Sequence, residues 1–161
     1  MPLSWAGMQC LHRLDDAQCR PHGSLSIVFV GLRIAKIDQQ AITEAVSTQP
    51  ADVIYCIKVT PHDFYPTFPD NELIAAVDGR PKWIEYDTMG QYYGWGLFPC
   101  LVSGDIRARF AHAIGHGVSG ALLRTEWERI NDWWVLESPN RMNLRAGAVW
   151  ARGGAVEDSD L

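Results

Sequence analysis

From residue 25 onward the chain alternates short β-branched runs with stretches whose apolar residues recur at helical spacing, and this alternation narrows the fold more than any other feature. Antiparallel neighbours are joined by tight turns. A helix between consecutive strands instead returns the chain to the same end of the sheet, so the strands run parallel. The expectation is an α/β fold of four consecutive βα units. The first strand spans residues 26–33 and its helix about 38–47, with Ala41, Ile42, Ala45 and Val46 on one face and Pro50 as the stop. The second strand, residues 53–57, leads through a loop rich in proline and aromatic residues to a short helix near 72–77. Asp78-Gly79-Arg80-Pro81 turns the chain into a third strand, 82–87. A glycine- and aromatic-rich loop, 90–99, precedes a helix capped by Ser103, with Ile106, Phe110 and Ile114 facing inward and Gly115 and Gly117 at its end. The fourth strand is 118–124. A last helix, opened by Ser138 as cap with Pro139 in its first turn, runs to about Arg152.

Residues 1–24 stand outside the alternation and read as an N-terminal extension, and the acidic stretch 153–161 reads as a flexible tail. A chain of 161 residues with 47% hydrophobic and 20% charged residues can bury one sizeable core. Fourteen Lys and Arg against nineteen Asp and Glu leave a net charge of −5, which disfavours a sequence-independent grip on nucleic acid. Cys10, Cys19, Cys56 and Cys100 form no C-x-x-C pair, and Cys56 lies in an apolar strand where a thiol packs as a small hydrophobe. The start of the chain has neither the basic flank nor the apolar run of a signal peptide, and no stretch has membrane-spanning length. A reduced, cytoplasmic setting without membrane partners is the expectation.

In parallel α/β folds function concentrates in the loops after the carboxyl ends of the strands. All four strands here end in polar groups: Arg33 on the first, Lys58 and Asp63 on the second, Glu85, Asp87 and Gln91 on the third, Arg124 and Glu126 on the fourth. Phe64, Tyr65, Tyr92, Tyr93, Trp95, Trp127, Trp133 and Trp134 interleave with them. Carboxylates beside aromatic rings suit a carbohydrate, whose rings offer apolar faces for packing and hydroxyls for directional hydrogen bonds. Strand-end cations add a preference for an acidic sugar, Arg33 gripping a carboxylate bidentately and Lys58 adding a point charge. The alternative is that these cations only neutralise neighbouring acids.

The segment Ile57-Lys58-Val59-Thr60-Pro61-His62-Asp63-Phe64 resembles the I-K-N-G-P-x-D-F strand motif of the α-glucuronidases of glycoside hydrolase family 67. Glu85-Tyr86-Asp87 and then Gln91-Tyr92-Tyr93-Gly94 resemble that family's next strand, E-x-Q followed by E-Y-x-G. A looser similarity joins residues 131–150, with Asn143-Leu144 at their centre, to the family's N-W…A-N-L-Y helix, and Arg33 to its R-T-F segment. The resemblance covers roughly residues 26–152 and implies the second half of a (β/α)8 barrel, a glycosidase-like domain over 25–152, and a hydrolase of xylan degradation. By it Asp63 falls on one of two carboxylates that activate the attacking water, and Arg33 and Lys58 on the uronate clamp. Tyr92, Arg124, Trp127 and Trp133 complete the substrate-binding set. The second family carboxylate falls on Gln91, an amide that can orient a water but cannot take its proton. Glu85, six residues earlier, could compensate if its side chain points inward. The family inverts configuration, with acid and base roughly 6.5–9.5 Å apart. Neither a metal nor an organic cofactor is implied, and the expected partner is a uronic-acid-containing oligosaccharide.

A complete barrel takes about 250 residues. Four units therefore mean a fragment, a truncated gene model, or a half-barrel completed by a second copy of the chain. A catalytically silent binder of acidic sugars, or a structural remnant, is the alternative to an enzyme. His112 and His116, four apart at a helix end, lack the intervening glutamate of zinc hydrolases and are read as an ordinary surface pair. Gly117-Val118-Ser119-Gly120-Ala121 misses the last position of the G-x-S-x-G elbow.

Overall fold

The computed structural model describes residues 9–11, 27–30, 36–94, 96–126 and 135–154. The elements run β1 (Gln9–Leu11), β2 (Ile27–Val30), α1 (Lys36–Ser47), β3 (Ile54–Lys58), α2 (Leu73–Ala76), β4 (Lys82–Asp87), α3 (Ser103–Gly115), β5 (Gly120–Arg124), a 3-10 turn (Val135–Glu137) and α4 (Arg141–Ala151). They build a mixed α/β fold around one sheet in the order β1-β5-β4-β3-β2. β2, β3, β4 and β5 pair in parallel, each beside its neighbour in sequence. β1 instead lies antiparallel on β5, Gln9 opposite Leu123 and Leu11 opposite Ala121. Part of the supposed extension is thus a strand, and the fourth parallel strand is not an open edge. Three residues carry no period that pattern reading can detect, so only the partner defines this strand. Among the described residues no helix is long and apolar enough to cross a membrane.

Side chains alternate across each strand, which divides the sheet into two unlike faces. Tyr55 and Ile57 of β3, Ile84 and Tyr86 of β4, and Ala121 and Leu123 of β5 join one buried cluster with Val46 of α1, Leu73 and Ile74 of α2, Ile106, Phe110 and Ala113 of α3, and Ala146 of α4. All four described helices therefore cover the same face. Cys56, Trp83 and Leu122 form a separate buried cluster on the other face. Gly120 lies opposite Trp83 there, and a Cβ on it would come within 2.5 Å of the indole nitrogen. Trp83 can lie flat on β5 only because that residue is glycine.

Several ends differ from the sequence expectation for identifiable reasons. Ile114 is half exposed, and Ala113, fully buried, takes the inward position, since 106, 110 and 113 keep the helical spacing as well as 106, 110 and 114 do. Ser103 is the first residue of α3 and Val102 its cap, with no side-chain capping bond. Ser138 and Pro139 precede α4 instead of opening it: the Ser138 hydroxyl donates to the Val135 carbonyl and accepts from the Asn140 amide.

Asn140, at the cap position of α4, turns its side chain to another task. Its amide nitrogen donates to the carbonyls of Met89 (2.8 Å), Phe98 (3.2 Å) and Gly96 (3.3 Å), and its oxygen accepts from the Cys100 amide at 2.8 Å. One turn on, Asn143 donates to Cys100 O (2.9 Å) and Thr88 O (3.3 Å) and accepts from the Val102 amide at 3.0 Å. Both side chains are fully buried. The loop pairs part of its own backbone, the Tyr93, Leu97 and Phe98 amides donating to Gly90, Gly94 and Tyr93 O, and these two side-chain amides serve further groups of the segment after β4. Asn143→Ala leaves three of those groups without partners and should lower the unfolding free energy by about 2–3 kcal/mol. Urea titration beside the exposed control Arg145→Ala checks it, and equal midpoints would remove the argument.

Candidate functional site

The register of the three central strands assembles the site. Lys58, the last residue of β3, lies opposite Glu85 of β4, and Asp87 lies opposite Arg124 of β5. These residues share the period of Cys56, Trp83 and Leu122, so they lie on the face away from the helices. Glu85 lies on that face with Lys58 and Arg124. Arg124 Nε stands 3.7 Å from Glu85 Oε1, and Lys58 Nζ 3.7 Å from Asp63 Oδ1. Those distances are Coulombic contacts beyond hydrogen-bond length.

The loop after β3 is folded back by its own polar groups. Asn71 donates to Lys58 O (3.1 Å) and Thr60 O (3.4 Å), and its backbone amide bonds Val59 O at 2.9 Å. The Thr60 hydroxyl donates to Asp63 O at 2.9 Å. Arg109 of α3 secures the far end, donating to Phe68 O (2.6 Å), Pro66 O (3.4 Å) and the Asp70 carboxylate (3.0 Å) while its Nε stands 3.3 Å from Asp105. The Tyr86 hydroxyl donates to the same Asp105 at 2.6 Å. Phe64 then lies beside both cations, 5.0 Å from Lys58 Nζ and 5.4 Å from the Arg124 guanidinium carbon. Tyr65 meets Tyr92 edge-to-face at 4.8 Å and Phe68 at 5.5 Å.

Charge at the site is set by burial. Burial pushes the Glu85 carboxyl above its ordinary range, outweighing the opposing pull of Arg124 and Lys58. Asp87 is pushed the same way, again by burial, although it accepts the Gln91 and Met89 backbone amides at 2.9 and 3.3 Å. Burial also raises the Tyr92 phenol, and the charge of Asp63 and a hydrogen bond to it add to the effect. Gln91 is buried, and among the described residues its Oε1 has no hydrogen-bond partner. It lines a cavity of about 20 Å³ together with Thr60, Tyr86, Asp87, Asp105 and Arg109. That space holds one water and no sugar ring, so a saccharide would have to lie over the exposed Asp63 and Tyr92.

Of the residues expected at the site, Lys58, Asp63, Glu85, Gln91, Tyr92 and Arg124 lie around β3, β4 and β5 and the loops that follow them. Arg33, Trp127 and Trp133 lie outside the described residues. The cations are not idle, each being already apposed to a carboxylate. Sequence reading did not foresee the contact of Phe64 with both cations or the bracing by Asn71 and Arg109, because each depends on residues from separate elements. Among the described residues no group of three or more His, Cys, Asp or Glu side chains could hold a metal ion. No family model, curated protein or solved structure matches this chain.

An acid whose folded pKa is raised holds its proton more tightly folded than unfolded, so stability is lost as pH rises from the ordinary carboxylate range through the folded value. Glu85→Gln should therefore raise the urea midpoint at pH 7, with the gain vanishing below about pH 4, where the carboxyl is protonated in both states. A variant less stable than the parent at pH 7 would show that Glu85 is held by its ion pair.

Proposed function

We propose that this chain carries part of a glycoside hydrolase site for uronic-acid-bearing saccharides, built on four consecutive βα units that resemble the second half of a (β/α)8 barrel. The observation that carries this reading is the strand register, which gathers Lys58, Glu85, Asp87 and Arg124 at the carboxyl ends of three adjacent parallel strands, opposite the helices. Lys58 and Arg124 form the clamp for the sugar carboxylate. In their present state they face Asp63 and Glu85 across 3.7 Å, contacts longer than hydrogen bonds, which an incoming uronate would replace with direct ones.

The two acids have different surroundings, as acid–base hydrolysis requires. Asp63 is half exposed beside Lys58 and takes the proton of the attacking water. Glu85 keeps its own proton to higher pH and is the group able to supply one to the departing glycosidic oxygen. Water adds to the anomeric carbon as the glycosidic bond breaks. Gln91, whose buried Oε1 has no partner among the described residues, holds a water by hydrogen bonding and leaves proton removal to Asp63. Tyr65 and Tyr92, both exposed, offer aromatic surface to the sugar.

A second reading, a binder of acidic sugars without turnover, is favoured by one observation: the position beside Asp87 holds an amide where the resembled family has a carboxylate. Glucuronate release from a glucuronate-substituted xylo-oligosaccharide separates the readings. The hydrolytic one expects release, reduced at least about 100-fold in Asp63→Asn. Undiminished release in that variant overturns the role given to Asp63. Saturable calorimetric binding of glucuronic acid without release supports the binding reading, and absence of both overturns the proposal.

A further inference from the structure

We infer that His112 and His116 form a binding site for a late first-row divalent cation on the surface of α3, with Asp70 as its orienting carboxylate. The two histidines are one helical turn apart, and their ring centroids are 4.4 Å apart with planes inclined at 41°. Imidazoles one helical turn apart with centroids this close can share one cation through Nε2, as cis ligands of a square-planar or octahedral ion.

Each ring is held through its other nitrogen. His116 Nδ1 lies 2.9 Å from the His112 carbonyl, whose only role there is acceptor, so Nδ1 carries the proton and Nε2 the lone pair. His112 Nδ1 lies 3.6 Å from Asp70 Oδ2, a Coulombic contact beyond hydrogen-bond length that turns the same ring nitrogen toward the carboxylate. Asp70 is itself fixed, its Oδ1 accepting from Arg109 at 3.0 Å. A carboxylate behind the non-ligating nitrogen is the arrangement that orients metal-binding histidines and raises their basicity.

Position adds to geometry. His116 is the C-terminal cap of α3, where the aligned peptide dipoles favour positive charge. His116 is exposed and the His112 side chain is 30% accessible, so a hydrated ion can reach both. Two imidazoles with water in the other positions favour copper(II), nickel(II) and zinc(II) over calcium or magnesium, which prefer oxygen. The site is remote in kind from the sugar-binding proposal and stands without it, because Asp70 and the two histidines take no part in that chemistry.

The test uses the full untagged chain, freed of metal by chelation, titrated calorimetrically with nickel(II) chloride and separately with magnesium chloride. One equivalent of nickel should bind saturably, magnesium should not, and nickel should raise the melting temperature because the pair is assembled only in the folded helix. His116→Ala and His112→Ala should each abolish the saturable event without changing the metal-free melting temperature, while His62→Ala leaves it intact. Asp70→Asn should keep the stoichiometry and weaken binding about tenfold. Saturable binding that survives both helix substitutions, or no binding by the parent chain, overturns the inference. If either alanine variant loses metal-free stability, His112→Gln and His116→Gln replace it under the same criteria.

Discussion

The parallel register of β3, β4 and β5 is the constraint on which the rest of the molecule hangs. Shifting a strand by one residue would send every side chain to the opposite face, burying Lys58, Glu85 and Arg124 under the helices and exposing Ile57, Ile84 and Leu123. The helix-facing residues resist that shift, because Tyr55, Ile57, Ile84, Tyr86 and Leu123 are all nearly inaccessible. At roughly 1.5–3 kcal/mol for each fully buried large apolar side chain, this face outweighs what the two 3.7 Å ion pairs could contribute. Hydrophobic burial thus aligns the charged groups, which have no strength to align themselves.

The loops that complete the site are held by polar side chains acting at a distance in sequence. Asn140 and Asn143 bond backbone groups of Thr88, Met89, Gly96, Phe98, Cys100 and Val102, and Asn71, Thr60 and Arg109 bond carbonyls of the segment carrying Asp63. Loops that pair only part of their own backbone need such partners, and a carboxylate on a loop is useful in chemistry only if its position is fixed. Burial of Glu85 and Asp87 runs the other way, holding acids where they are less comfortable ionised. Local cost of that kind belongs with functional sites more often than with scaffolds.

Much of the fold was legible. Strand 82–87 was read with its observed bounds, and α1 and β3 came within two residues of theirs, since their apolar periods are long enough to be distinctive. Element ends were less legible. Ser103 and Ser138 have the chemistry of caps, yet Val102 and Asn140 hold those positions: Ser138 is engaged in the preceding turn, and the Asn140 side chain bonds loop carbonyls and makes no capping bond. The helix end at His116 was read as an ordinary surface pair. Only the arrival of Asp70 from the loop before α2 gives that pair an orienting carboxylate.

The amino-acid sequence by itself determined the alternation of strands and helices, the identity of the strand-end residues and the two faces of each strand, because these follow from local propensity and period. Tertiary structure decided which strand-end residues meet. It set Lys58 opposite Glu85 and Asp87 opposite Arg124, brought Phe64 beside both cations, buried Gln91 at a water-sized cavity, and laid β1 along β5. These are pairings between residues far apart in the chain, whose free energy depends on the packing of the whole core and has no signature in a local window of sequence.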